Sequence, residues 1–286
     1  MSRELVLTAA GFASPTGFGG SQTGWTAKPV PAGGPGALRW SAASDAPFDR
    51  FGRLDALSKC VLVAAEMCGL PPVAEGLGRP DMAVVLGTRW GSLAVDLEFL
   101  RSIGAPGGAS PALFSYTLPS TAIAEAAIRY RLAGPNLCLL AGAESGLLAL
   151  WEGLELVAGG EADGCLCLAG DALGEGEKGS GVFCRNGPSG CCAQKTPDPF
   201  SLEAVETARG CAYAFVVEER SAALRRSRPA LAEARIRREA PPPPDGPAAG
   251  LGELYQFLAE GRAGALCLAA PAPAGAGGAL IVERGP

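Results

Sequence analysis

The sequence predicts an α/β protein, a mixed or parallel sheet with helices on its faces. Three observations carry that expectation. Apolar runs of strand length alternate with segments whose apolar residues recur at helical spacing, the pattern that builds βαβ units. Hydrophobic residues make up 48% of the 286 positions and charged ones 19%, enough apolar side chain for strands covered on both faces. Glycine and proline number 41 and 24, yet they gather in loops between the periodic segments.

In chain order, residues 3–10 form a first strand. Residues 11–48, rich in Gly, Pro and Ala, read as one long surface loop with a short helix around Arg39–Ser44. Helix 51–68 follows, with Cys60 and Cys68 on its apolar face beside Leu57, Val61 and Ala64; Gly69 and Pro71-Pro72 stop it. Next come strand 82–86, a turn Gly87–Gly91, helix Leu93–Ile103 and a loop Gly104–Ser110. Helix 120–132 starts at Ser120, expected as its N-cap, and carries Ile123, Ala127 and Ile128 on one face. Strand 137–141, helix 145–158 and strand 164–169 complete a βαβ-type core. Residues 171–200 form a loop and Ser201–Ala208 a helical turn, before strand 211–218, helix 219–227 and strand 230–237. Pro241–Pro244 cannot stay helical. Helix 251–260 and strands 264–269 and 278–283 close the chain.

Composition excludes several classes. The net charge of −5 leaves no global electrostatic footprint for a nucleic acid. One local exception, the basic run Arg225, Arg226, Arg228, Arg235, Arg237 and Arg238, reads as the solvated end of a helix and an exposed strand edge. The opening MSRELVLTAAG lacks the apolar core of a signal peptide and reads as a strand. No apolar stretch reaches the ~18 residues that a membrane span needs, so a cytoplasmic protein is expected. Of ten cysteines, Cys60, Cys68, Cys138, Cys165, Cys167, Cys211 and Cys267 lie in apolar helices or strands, as buried small hydrophobes do. Cys165 and Cys167 share one strand face. Only Cys184, Cys191 and Cys192 fall in a Gly-rich loop, and they lack the spacing of a zinc ribbon, so no metal or cofactor is expected. Gly17, Gly19, Gly20, Gly87 and Gly91 read as turn glycines, since no phosphate-cradling spacing is present.

The most informative stretch is Gly134–Trp151, GPNLCLLAGAESGLLALW. It reads as a buried strand over Leu137, Cys138, Leu139 and Leu140, a small-residue turn Ala141-Gly142-Ala143, and a helix through Leu147, Leu148 and Leu150. Strand, tight turn and helix N-terminus is the arrangement that presents a nucleophile to a carbonyl, because the turn exposes the side chain and the helix dipole stabilises an anion. Here the turn carries Ala143, and the chain contains no histidine. Glu144, in the first helical turn, is favoured there by the dipole. A functional carboxylate acting as a general base is the sharper reading, although no companion acid, nucleophile or metal ligand is evident.

Flanking stretches extend the pattern. Ser110-Pro111 precedes LPSTAIAEAAIRYRLAGPNLCLLAGAESGLLAL and then GGEADGCLCLAGDA. RELVLTAAGFASPTGFG, MAVVLGTRWGSL and ARGCAYAFVVEERSAALRRSRPALAEARI stand in the same order along the chain. This set resembles the β-ketoacyl synthases of the thiolase superfamily over roughly residues 1–236. It follows that family's Ser-Pro, Pro-Ser-Thr, Tyr-Gly-Leu-x-Gly-Pro, Thr-Ala-Cys-x-Ser-Gly and Gly-x-Ala-Asp pattern.

The resemblance implies a thiolase-like α/β fold of mixed sheets layered with helices and a truncated C-terminal half. Residues 1–240 would be the ketosynthase-like N-terminal half, and 241–286 a reduced part completing the same domain. The family's nucleophilic cysteine aligns with Ala143, and the two histidines that drive decarboxylation have no counterpart. Alanine cannot form a thioester, and without imidazole no enolate is stabilised. The expectation is therefore a non-catalytic subunit, similar to chain length factors, paired with an active β-ketoacyl synthase in fatty acid, polyketide or aryl polyene type biosynthesis. Strand Leu137, Cys138, Leu139 and Leu140 would match the family's dimer strand. Phe114, Tyr116, Thr117 and Leu118 would line a partner's acyl tunnel, with core or interface packing as the plainer reading. An acyl carrier protein is a further partner, for which the basic run would be the dock. The alternative is a homodimeric, stand-alone acyl-thioester or carrier-protein binder, and a third reading is an enzyme with new chemistry around Glu144.

Overall fold

The computed structural model describes residues 3–14, 17–30, 38–70, 79–104, 106–172, 211–238, 251–261, 263–270 and 278–285. Its strands are β1 (Leu5–Ala13), β2 (Gly17–Gly20), β3 (Lys28–Pro29), β4 (Met82–Gly87), β5 (Asn136–Leu139), β6 (Gly164–Asp171), β7 (Cys211–Glu219), β8 (Ala232–Arg238), β9 (Gly264–Ala270) and β10 (Gly278–Arg284). Its α-helices are α1 (Trp40–Ala43), α2 (Ala56–Met67), α3 (Leu93–Ile103), α4 (Pro111–Phe114), α5 (Ser120–Tyr130), α6 (Ser145–Gly159), α7 (Arg220–Arg225) and α8 (Leu251–Glu260). All described strands join one mixed sheet in the order β5-β4-β6-β7-β1-β8-β10-β9, with β2 on β1 and β3 on β2. β4 runs parallel to β5 and β6, and the other pairings are antiparallel.

Three layers follow from which side chains each strand sends to each face. On β4, Met82, Val84 and Leu86 pack with α2 and α5, whereas Ala83 and Val85 pack with α6. Such a run is apolar at every position because both faces are covered. On β1 the alternation changes phase: Leu5 and Leu7 lie with α6, then Ala10 joins them while Ala9 goes to the α2 side. A bulge between Leu7 and Ala9 causes the switch, and the extra residue, Thr8, donates its hydroxyl to buried Glu218 at 2.5 Å. On β6, Cys165 and Cys167 do share the α6 face, their sulfurs 3.7 Å apart. α8 sends Leu254 and Leu258 into the same layer as Leu268, Leu280 and Val282 of the β9–β10 hairpin, so residues after 250 extend the one sheet.

Several sequence expectations need correcting. The 11–48 loop contains the rest of β1, β2, β3 and a 3-10 turn at Ser21–Thr23, with α1 in the place expected for a short helix. β2 is GFGG, with too little side chain to read as a strand, and it lies where backbones nearly touch: a Cβ at Gly20 would stand 2.3 Å from Ala10 O. Helix 51–68 is divided into a 3-10 turn, Phe51–Arg53, and α2, because Asp55 caps α2 by accepting from Leu57 N (3.1 Å) and Ser58 N (3.3 Å). Ser120 is not an N-cap; Pro119 holds that position with αR backbone, and Ser120 already lies inside α5. β8 is no edge strand, since β10 pairs with its far side. The loop 171–200 beyond Ala172, the turn 201–208, Pro241–Pro244 and Cys184, Cys191 and Cys192 lie outside the described residues.

Candidate functional site

The site stands at the C-terminal ends of the parallel strands β5, β4 and β6, where open α/β sheets place their ligands. β5 leads into a 3-10 turn, Gly142–Glu144, and α6 starts at once. Gly142 takes φ +68°, the left-handed conformation glycine reaches without strain. Ser145 braces the turn: its buried Oγ accepts from Ala141 N at 2.8 Å and donates to Gly142 O at 2.7 Å. The elbow is pressed onto β4 so closely that a Cβ at Gly87 would stand 1.9 Å from Ser145 O. Gly146 faces Leu251 of α8 and Ala169 of β6, at 2.7 and 2.9 Å from a notional Cβ.

Ala143 therefore sits in the middle of a fully braced elbow. Glu144 occupies the N-cap position of α6 and is exposed, but its carboxylate makes no capping hydrogen bond; Ser145 does the local bonding instead. Among the described residues no group of three or more His, Cys, Asp or Glu side chains is placed to hold a metal ion.

The segment Ser110–Thr121 satisfies its own backbone with hydroxyls. Ser110 Oγ accepts from Leu113 N at 3.4 Å, and Ser115, Thr117 and Thr121 donate to Pro111 O, Phe114 O and Ser115 O at 3.2, 2.9 and 3.1 Å. That bracing divides the four predicted tunnel residues. Phe114 and Leu118 point outward, 63% and 65% exposed, and the ring of Phe114 leans on Phe99 of α3 at 5.4 Å. Tyr116 packs inward on the α2–α5 layer, where burial and the Glu125 carboxylate raise its phenol pKa. Thr117 is half-buried, its carbonyl accepting from Ser92 Oγ at 2.6 Å.

β5 is hydrogen-bonded to β4 alone, so its outer side is an open edge among the described residues. Leu137 and Leu140 are exposed, whereas Cys138 packs towards the α2 layer and Leu139 towards α6. Burial raises the Cys138 thiol. The predicted strand 137–141 is thus β5, shifted to Asn136–Leu139, with Leu140 just beyond it.

Two contributors escaped sequence reading. α3 buries Val95 alone and leaves Leu100 and Ile103 exposed, extending the apolar face past Phe114. Its sequence, LAVDLEFLRSI, signals an apolar stripe without saying what covers it. Asp171, at the end of β6, accepts from Thr88 Oγ1, Arg89 N and Trp90 N at 2.8, 2.8 and 3.0 Å and so holds the turn after β4. Burial pushes its carboxyl pKa up against those bonds, which favour the charged form. Nothing in its sequence context marks it.

The basic run lies at the opposite end of the strands and is internally paired. Arg226 bonds Glu218 at 2.7 Å and also Asp81, Arg228 approaches Glu218 at 3.4 Å, and Arg225 reaches Asp163 at 3.3 Å. Arg235 pairs with Glu233 at 3.4 Å. Arg226 and Arg228 are thus built into the protein rather than solvated, and the side chains of Arg237 and Arg238 lie outside the description. An open polar groove of about 520 Å³, lined by Gln22, Thr26, Lys28, Ser41 and Asp45, shares no residue with the elbow.

No protein-family model and no curated protein matches the chain. Solved structures do. The chain superposes on the ishigamide ketosynthase/chain length factor with a TM-score of 0.61 and 19% identity, covering 99% of this chain and 100% of that one. The fold is that of the β-ketoacyl synthases. A ketosynthase in complex with its type II polyketide acyl-carrier protein matches at TM-score 0.56 and 18% identity, over 83% of this chain and 70% of that one. A β-ketoacyl synthase from Burkholderia phymatum STM815 matches at 0.59 and 13%, over 99% and 100%. The thiolase-like architecture expected from the motifs is thereby found, as one continuous mixed sheet between helical layers. Among the described residues no helix is long and apolar enough to cross a membrane.

Proposed function

We propose that the chain is a non-catalytic ketosynthase-like subunit that pairs, as chain length factors do, with an active β-ketoacyl synthase in fatty acid, polyketide or aryl polyene type biosynthesis. The observation that carries this reading is an apolar face left open, among the described residues, beside the edge strand β5, at an elbow whose central residue is Ala143. An alanine methyl cannot attack a thioester, and a chain without histidine offers no imidazole for decarboxylation, so both groups come from the partner. The open edge at Leu137, Cys138, Leu139 and Leu140 pairs with the partner's counterpart strand, making one sheet through both subunits. Phe114 and Leu118 reach across to bound the partner's acyl pocket, anchored from within by Tyr116 and Thr117. The work is steric: the subunit closes a pocket and sets its length. Likeness to a ketosynthase/chain length factor and to a ketosynthase bound to its carrier supports this assignment and adds an acyl carrier protein as the substrate donor.

Affinity purification from the native host, with mass spectrometry of what co-elutes, tests the reading. A ketosynthase with an intact cysteine and two histidines at near-equal stoichiometry is the expected result. A stable monomer that associates with no ketosynthase would sink it. A clean homodimer that binds acyl-pantetheine would favour the stand-alone thioester binder.

A further inference from the structure

Behind the elbow, one carboxylate oxygen gathers an entire turn. Asp171 Oδ1 alone accepts from the Thr88 hydroxyl and from the N–H groups of Arg89 and Trp90, at 2.8, 2.8 and 3.0 Å. Thr88 Oγ1 in turn accepts from Gly91 N at 2.9 Å, which closes the turn on itself. Its far side touches the apolar face in two places. A Cβ at Gly91 would stand 2.7 Å from Pro119 and 3.2 Å from Leu140, so the turn is wedged between the Leu118-Pro119 segment and the end of β5. Ser92, the next residue, donates to Thr117 O at 2.6 Å. Thus Asp171, on a central strand, is connected by direct contacts to both halves of the face that carries Leu118 and Leu140.

We propose that Asp171 is a positioning residue for the partner-binding face, holding Thr117–Pro119 and Leu140 in place through the turn Thr88–Ser92. The inference rests on the reading of that face as the subunit contact. A turn of this length has few apolar anchors of its own: Arg89 and Trp90 are half-buried and lie against each other, the guanidinium 4.8 Å from the ring centroid. The bonds to Oδ1 are therefore a main support of its shape, beside Thr88 N donating to Leu139 O at 3.0 Å. Without them the amides of Arg89 and Trp90 need other acceptors, and the turn opens to find water.

Hydrogen exchange read by mass spectrometry on the full chain tests this, comparing wild type with Asp171→Ala and Asp171→Asn. Asparagine keeps a carbonyl oxygen able to accept the same three bonds, and alanine keeps none. The expected result is exchange about tenfold faster or more in 88–92 and in 115–121 for the alanine variant, with α2 and β1 unchanged and the asparagine variant like wild type. The proposal is overturned if asparagine behaves as alanine does, if 88–92 loosens while 115–121 keeps its protection, or if exchange rises throughout the chain. Should Asp171→Ala not fold, Thr88→Val, which removes one donor and the acceptor of Gly91, is measured in its place with the same expectation. Affinity for the co-purifying ketosynthase, measured in parallel, should fall for the alanine variant alone. If no ketosynthase binds the wild-type chain, the reading of the face fails, while the exchange data still decide the role of Asp171.

Discussion

Replacing Leu118 by glutamate separates surface that matters for folding from surface that matters for pairing. Leu118 is 65% exposed and follows the self-braced segment 110–117. Full burial of a leucine side chain is worth about 1.5–3 kcal/mol, so covering its exposed part in a complex is worth roughly 1–2 kcal/mol. Glutamate forfeits that gain and adds the cost of an unpaired carboxylate at a desolvated interface, of order several kcal/mol. A loss of at least about 3 kcal/mol, or roughly a hundredfold in Kd, is expected. The folded chain should barely notice, because the side chain is exposed and the bond that Leu118 makes beside the α5 cap, from Thr121 N to its carbonyl at 2.9 Å, is kept by any residue; a change of about 0.5 kcal/mol or less is expected. Titration of the variant into its co-purifying ketosynthase, followed by sedimentation, reads the first quantity, and urea unfolding of the isolated chain reads the second. Unchanged affinity, or affinity lost only in step with stability, would refute the reasoning.

Three further outcomes test the interior. Gly87→Ala puts a Cβ 1.9 Å from Ser145 O and must push α6 off β4; urea unfolding should show a loss of about 2 kcal/mol or more. Glu218→Gln removes the charge shared by Arg226 and Arg228 at a fully buried position, with an expected loss of about 3–5 kcal/mol in the same assay. Stability should also fall at alkaline pH. Burial holds the Cys68 and Cys211 thiols up at about 12 and about 11, and that of Cys60 above its ordinary value, so the unfolded chain releases these protons first. The folded state then carries more bound protons, and unfolding free energy declines by about 1.4 kcal/mol per thiol per pH unit above roughly pH 9. A flat profile between pH 9 and 10 would contradict the burial of these groups.

The fold was legible wherever side chains alone report burial. β4 and β6 are short continuous apolar runs and α6 a longer apolar segment between them, and both their existence and their succession along the chain followed from that. The 11–48 region failed for the opposite reason: Gly17, Gly19 and Gly20 form a strand by letting backbones approach, which leaves no hydrophobic alternation to read. β8 looked like an exposed edge because it carries part of the basic run, Arg235, Arg237 and Arg238, but its second neighbour, β10, begins only at Gly278, beyond the reach of local sequence patterns. At the site, the run Ala141-Gly142-Ala143 announced a tight turn, while Phe114 and Leu118 were singled out only through the family resemblance of their stretch. Asp171 did not, since a lone Asp after Gly170 reads as the start of a loop. The stripe on α3 was visible but ambiguous, because amphipathic spacing does not tell a helix packed on its own core from one waiting for another chain.

The two ends of the sheet differ in chemistry, and the difference bears on where a partner can bind. At the N-terminal ends of β4 and β6, Arg226 ties Asp81 to Glu218, while Arg3 and Arg225 share Asp163. Those charges are spent on one another, so an acidic carrier would have to break existing pairs before gaining new ones, with little net attraction left. At the C-terminal ends the backbone is equally well braced, by Ser145, Asp171 and the hydroxyls of 110–121, yet the side chains that emerge are Phe114, Leu118 and Leu140. Rigid backbone with exposed apolar side chains loses little entropy on association and releases ordered water from every one of them. If the chain pairs with a ketosynthase as proposed, the interface is expected where those two conditions meet, beside the elbow and its Ala143, and a carrier delivering acyl groups would be received by the partner.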